Sequence, residues 1–182
     1  QMLLFKLDKR LEDLSLGDLN EFYQAARAKF DADEAFRERS RTRVVALQRG
    51  DPGTRRLWRL LVEESERHFL AVYDLLGVRL TDGDFRGESF YNDMLAPVVA
   101  ELDRLGMLRE SDGAQVVYPA GFTGRGGGPL PLIVRKSDGG FGYPATDLAA
   151  IRHRTREVSV HRLLYVVGLP QSQHFAMVFE VA

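Results

Sequence analysis

Two short segments carry side chains suited to binding chemistry: Tyr143-Pro-Ala-Thr-Asp147 and, 24 residues on, Gln171-Ser-Gln-His174-Phe175. Each follows a short apolar run and opens a helical pattern. A phenol, a carboxylate, an amide and an imidazole are thereby set at the mouths of two successive strand-to-helix turns. In an open α/β sheet that edge is where ligands bind. A carboxylate beside a phenol suits a cationic ligand rich in hydrogen-bond donors.

Each of these residues also has a plainer reading. Tyr143 and Asp147 are four apart and share a helix face, and Pro144 suits the first helical position, where its missing N–H costs nothing. Asp147 then either meets a ligand or merely complements the helix dipole. The preceding loop, Ser137-Asp-Gly-Gly-Phe-Gly142, has three glycines, which either let a ligand approach the backbone or make a tight turn. Gln171 and His174 lie three apart where free backbone N–H groups favour polar or anionic groups; a lone histidine there is equally a cap or a packing residue. Glu88, in Gly87-Glu-Ser89, is either a ligand group or a solvated turn residue.

Other candidates are weaker. Gly124-Arg-Gly-Gly-Gly128 lacks the Gly-Lys-Ser/Thr of a phosphate loop and reads as a flexible connection. Arg152, Arg154 and Arg156 either meet phosphates or favour a helix C-terminus. Arg37, Arg39, Arg41 and Arg43 read as a solvated face. The four histidines show no pair at metal-ligand spacing, so no metal site is expected.

The elements that must position these groups come in two styles. Four helices are expected first. Leu19, Phe22, Tyr23, Ala26 and Phe30 recur at three-and-four spacing. Phe36, Ser40, Val44 and Leu47 mark a second helix, stopped by Gly50-Asp-Pro-Gly53. Trp58, Leu61, Val62, Ser65, Phe69, Val72, Tyr73 and Leu76 stripe a third, with Gly77 as its C-cap. Leu95, Val98, Val99, Leu102 and Leu105 stripe a fourth, ended by Gly106. Val78-Arg-Leu80 reads as a short strand between the last two.

Composition changes after Leu108. Gln115-Val-Val-Tyr118 is strand-like, 121–131 is a glycine- and proline-rich loop, and Leu132-Ile-Val-Arg135 is a strand. A helix over 144–156, a buried strand Leu163-Leu-Tyr-Val-Val167 and a helix over 171–182 complete the chain. This β-α-β-α order predicts a parallel sheet. The fold class expected is α/β: a mostly helical region over 1–120, then a partial Rossmann-like unit over 121–182. Two parallel strands cannot cover their own faces, so further strands are expected from elsewhere.

Bulk properties exclude several function classes. Of 182 residues, 45% are hydrophobic and 28% charged, which argues against disorder. With 25 basic and 26 acidic side chains, no global field draws the chain to nucleic acid or membrane. The 21 Arg against 4 Lys fit a GC-rich genome better than nucleic-acid binding. Zero cysteines exclude disulfides and thiolate metal sites and fit a reducing compartment. No apolar run approaches the roughly 20 residues a membrane span needs, and Met2-Leu-Leu-Phe5 is too short for a secretory signal. A cytoplasmic protein with no membrane partner is expected. The start at Gln1 and the stop at Ala182 inside an apolar pattern lead to the expectation of a piece of something longer.

Over nearly its whole length the chain resembles arginyl-tRNA synthetases, a class I family, most of all its bacterial members. The resemblance lies in Phe22-Tyr-Gln-Ala-Ala-Arg-Ala-Lys-Phe30, Leu47-Gln-Arg-Gly-Asp51, Gly87-Glu-Ser-Phe-Tyr-Asn-Asp93 and Ser111-Asp-Gly-Ala114. It is most specific in Arg135-Lys-Ser-Asp-Gly-Gly-Phe-Gly-Tyr-Pro-Ala-Thr-Asp-Leu-Ala149 and Tyr165-Val-Val-Gly-Leu-Pro-Gln-Ser-Gln-His-Phe175.

The resemblance implies a ligase that activates arginine with ATP, with Mg2+ in the intact enzyme, and transfers it to tRNA(Arg) during protein biosynthesis. Carried over by motif, Glu88 and Asp147 bind the guanidinium, Tyr143 lines the pocket, and Gln171 holds the α-amino end. Gly168 and His174 border the adenosine. A planar guanidinium pairs bidentately with carboxylates, which agrees with this assignment. No histidine is followed by x-Gly-His, and Lys136 is the sole lysine after Lys29, so a Lys-Met-Ser-Lys-type loop is absent as well. These groups would stabilise charge on the transferring phosphates. The expectation is therefore a central fragment of an arginine–tRNA ligase, inactive alone, with no catalytic residue of its own. The alternative is a free-standing, non-catalytic module that binds arginine or docks a partner.

Overall fold

The computed structural model describes residues 16–182, with the side chains of 16–20, Phe22 and Gln48 outside that description. The stripe positions Leu19 and Phe22, and the apolar start at Met2, fall there. The chain divides into two compact units, Gln1–Phe85 and Arg86–Ala182.

The described part of the first unit is three helices: α1 (Leu16–Ala32), α2 (Glu34–Gln48) and α3 (Pro52–Leu76). Their ends follow from capping chemistry. Asp33 accepts the Phe36 N–H at 2.9 Å to start α2. Asp51 caps α3, accepting both the Thr54 N–H at 2.8 Å and the Thr54 hydroxyl at 2.6 Å. Those two bonds hold the Asp51 carboxyl below its ordinary pKa. Pro52 opens α3. Gly77, at φ 68°, ends it in the left-handed conformation that glycine adopts without a Cβ penalty. The joint between α2 and α3 is tight: Thr54 is fully buried and its hydroxyl also accepts from Arg43 at 3.0 Å. Phe36 and Ser40 are buried as their spacing predicts, whereas the α3 stripe opens toward its end, leaving Phe69 and Leu76 exposed. Phe69 and Tyr73 lie against Phe85, with ring centroids 6.3 and 6.1 Å apart. The 78–80 segment is not a strand; its side chains are exposed and no partner strand runs beside it among the described residues.

The second unit contains α4 (Asn92–Arg104), β1 (Arg109–Ser111), β2 (Ala114–Val117), β3 (Leu132–Arg135), α5 (Tyr143–Arg156) and α6 (Ser172–Val181). A short 3-10 turn over Glu88–Tyr91 leads into α4, and another over Leu169–Gln171 leads into α6. The core joins Leu95, Val98, Val99 and Leu102 of α4 to Val134 of β3, Ala145, Leu148 and Ala149 of α5, and Met177 and Val178 of α6. Each fully buried valine or leucine contributes about 1.5–3 kcal/mol. Leu105, expected inward, is exposed beyond the helix end. Along β3 burial alternates, with Leu132 and Val134 inside and Ile133 outside.

The sheet differs from the parallel one that the β-α-β-α order predicts. Its order is β1-β2-β3 and both pairings are antiparallel. The β1–β2 turn places Asp112 at φ 50° and Gly113 at φ 75°, the pair of positive values a type I′ hairpin needs. Beyond β3, the chain doubles back on itself. Arg135 bridges Phe141 and the Gly142 N–H donates to Val134 O at 3.0 Å, so the next segment of chain takes that edge. The apolar run at 163–167 consequently has no strand beside it among the described residues. It is not a strand, and the burial expected of it holds only in part: Leu163 and Tyr165 pack partly against the core, whereas Leu164 is exposed and Val166 is 99% exposed.

Candidate functional site

The approach of α5 to β3 sets the first group of site residues. Gly142 is the helix N-cap residue. A Cβ there would meet the carbonyl oxygen of Ile133 well inside 3.0 Å, so only glycine fits this crossing. Ala145 and Ala149, both fully enclosed, keep the contact close over the next turn. Tyr143 and Pro144 are then the first two helical residues, so Tyr143 lies inside the helix rather than at its cap. Its ring is 69% exposed. Asp147, one turn on, is partly enclosed, with its side chain 25% exposed.

The second group comes from the start of α6. Gln171 is exposed and sits at the N-cap position, with its N–H donated to Gly168 O at 2.9 Å. His174, three residues on, reaches across to α5: its Nε2 lies 2.6 Å from Asp147 Oδ2. A carboxylate oxygen only accepts, so Nε2 carries the proton in this contact. Gly168 opens the preceding 3-10 turn in an ordinary extended conformation, φ −69° and ψ 150°.

Glu88 opens the 3-10 turn before α4 and faces the same place. Its carboxyl is raised above its ordinary pKa, first by partial burial and then by the negative charge of Asp147. The two acids are thus close enough to feel each other, although Glu88 remains solvent-accessible. Asp147, coupled to Glu88 and bonded to His174, is the common point of these three side chains.

A network missed by the sequence reading ties the surrounding elements together. Arg154, on α5, donates to the Tyr165 hydroxyl at 2.8 Å and reaches the hydroxyl of buried Tyr91 at 3.5 Å. One guanidinium therefore ties the Glu88 turn and the 163–167 segment to α5. Tyr165 stacks between Phe175 and Phe179, with centroids 4.9 and 5.1 Å away. Burial pushes its phenol pKa up, against the pull of Arg154. Spacing alone offered only Arg154 as one of three basic residues; nothing in the pattern named Tyr165 as its partner. The other two, Arg152 and Arg156, lie 3.4 and 3.0 Å from Glu101. That structural pairing accounts for them without a phosphate. Among the described residues no three acid or imidazole groups cluster as a metal cage, and no helix is long and apolar enough to cross a membrane.

Asp147 of α5, His174 of α6 and Glu88 of the turn before α4 are thus brought together within the second unit. Residues 2–182 match the family model described as tRNA synthetases class I (R), catalytic domain. The chain is 58% identical over 165 residues to an arginine–tRNA ligase of Thermobifida fusca, covering 91% of this chain and 29% of that protein. It is 51% identical over 173 residues to one of Picosynechococcus, covering 95% and 29%. A crystal structure of the arginyl-tRNA synthetase of Plasmodium falciparum superposes with a TM-score of 0.77 at 26% identity, over 99% of this chain and 30% of that one. The chain belongs to the class I arginyl-tRNA synthetase family, and it spans under a third of the length of these relatives.

Proposed function

We propose that the intact protein is a cytoplasmic arginine–tRNA ligase, which uses ATP to activate arginine and transfers it to tRNA(Arg), and that this chain holds its amino-acid pocket. The observation that carries the reading is the electrostatic coupling of Glu88 to Asp147. The charge of Asp147 adds to the cost of ionising Glu88, and one guanidinium, which offers five donors in a planar fork, would relieve it.

In this reading Glu88 and Asp147 take the guanidinium, Tyr143 covers it, and Gln171 holds the α-amino group. Lysine or citrulline would leave acceptors of the two carboxylates unpaired and be rejected. Gly168 and His174 border the adenosine. Residues 1–120 form a helical insertion region and 121–182 a segment of a Rossmann-like catalytic domain. The exposed run at 163–167 meets strands from the rest of the protein. The chain contributes binding and no group that acts on the phosphates, so by itself it is inactive. Mg2+ would enter with the ATP phosphates.

The test is arginine charging by the intact protein with ATP and tRNA. Charging that requires both and prefers arginine over lysine supports the reading; the absence of arginine-dependent charging by a folded, intact protein refutes it.

A further inference from the structure

Asp147 cannot orient itself. Its carboxylate turns about the bond to Cβ, and the hydrogen bond that restrains it among the described residues is His174 Nε2 on Oδ2 at 2.6 Å. Both side chains are partly enclosed, 30% and 25% exposed, so the contact is shielded from bulk water more than a surface pair is. The imidazole is itself braced edge-on by Phe175, 5.1 Å away, which is clamped in turn by Tyr165 and Phe179.

We infer that His174 is a positioning residue for arginine: as a neutral imidazole it donates to Asp147 Oδ2 and turns Oδ1 toward the incoming guanidinium. This rests on the pocket assignment proposed above and gives His174 a task distinct from bordering adenosine. One imidazole donor is enough to fix the rotation of the carboxylate.

The experiment measures arginine dissociation constants by calorimetry in the intact protein. Wild type, His174→Gln, His174→Phe and Asp147→Asn are compared, with thermal unfolding confirming that each folds. Glutamine keeps a neutral donor, so His174→Gln retains arginine affinity within about threefold of wild type. Phenylalanine removes the donor, and His174→Phe binds arginine about tenfold or more weakly. Arginine binding by folded His174→Phe equal to wild type overturns the inference, as does a His174→Gln protein that binds as weakly as His174→Phe. If His174→Phe does not fold, His174→Leu, which also lacks a donor, takes its place. Should Asp147→Asn bind arginine normally, the pocket assignment itself falls. Should Asp147→Asn fail to bind while both His174 variants behave as wild type, only the present inference falls.

Discussion

Gly142 presses so closely on the carbonyl of Ile133 that no side chain fits between them. That crossing fixes where α5 starts, and hence where Tyr143 and Asp147 stand. Gly142→Ala is expected to destabilise the intact protein by about 1–3 kcal/mol, the usual cost of overpacking. Because the helix start must shift, it is also expected to raise the arginine KM. Thermal unfolding and steady-state charging check both; an unchanged KM would show that α5 does not set the pocket.

Gly113 offers a contrast. It lies at φ 75° in the hairpin turn, remote in chain position from every proposed ligand group. Gly113→Ala is expected to cost about 1 kcal/mol through backbone strain and to leave the arginine KM as it was. A denaturation midpoint and the same charging assay separate the two glycines.

Glu88 carries a cost to folding. Its pKa is raised above the unfolded value, so the folded state binds more protons in the window that opens near 4.5. Stability therefore falls as pH rises through that window. Glu88→Gln removes the burden and is expected to raise the melting temperature of the arginine-free protein at pH 7, with the gain vanishing below about pH 4. It should weaken arginine binding at the same time. A gain that persists at low pH would place the effect outside Glu88's ionisation.

Arg154 ties three elements together through the Tyr165 and Tyr91 hydroxyls. Arg154→Met keeps an apolar stem but orphans two phenols, and a loss of about 1–3 kcal/mol of stability is expected. Tyr165→Phe removes one of the same bonds and should cost less. Equal costs from the two variants, measured by denaturant unfolding, would contradict the bridging role.

Helices were readable in the sequence because their ends carry local chemistry. Asp51-Pro52 starts α3 and Gly77 stops it without reference to anything distant. The β1–β2 hairpin was marked by Asp112-Gly113, a pair that signals a type I′ turn, though the strand-like reading began only at Gln115. The 163–167 run shows the opposite case. Its five apolar or aromatic residues say that burial is favourable, but not which strand provides it, and Val166 is bare in this chain. The proposed ligand side chains were picked out by type and by motif. Their mutual contacts were not: Asp147 and His174 meet across 27 residues, and Arg154 finds Tyr91 across 63. Such pairings depend on how α5 crosses its neighbours, which no local pattern encodes.

A double-mutant cycle on arginine affinity in the intact protein tests the central claim, that Glu88 and Asp147 address one guanidinium. Asp147→Asn alone should weaken binding by about 2–5 kcal/mol, as loss of one partner in a desolvated charge pair does, and leave ATP affinity intact. Glu88→Gln should weaken it as well, and the two together should differ from the sum of the singles by more than about 0.5 kcal/mol. Additive losses, or a change in ATP affinity with arginine affinity preserved, would contradict the account.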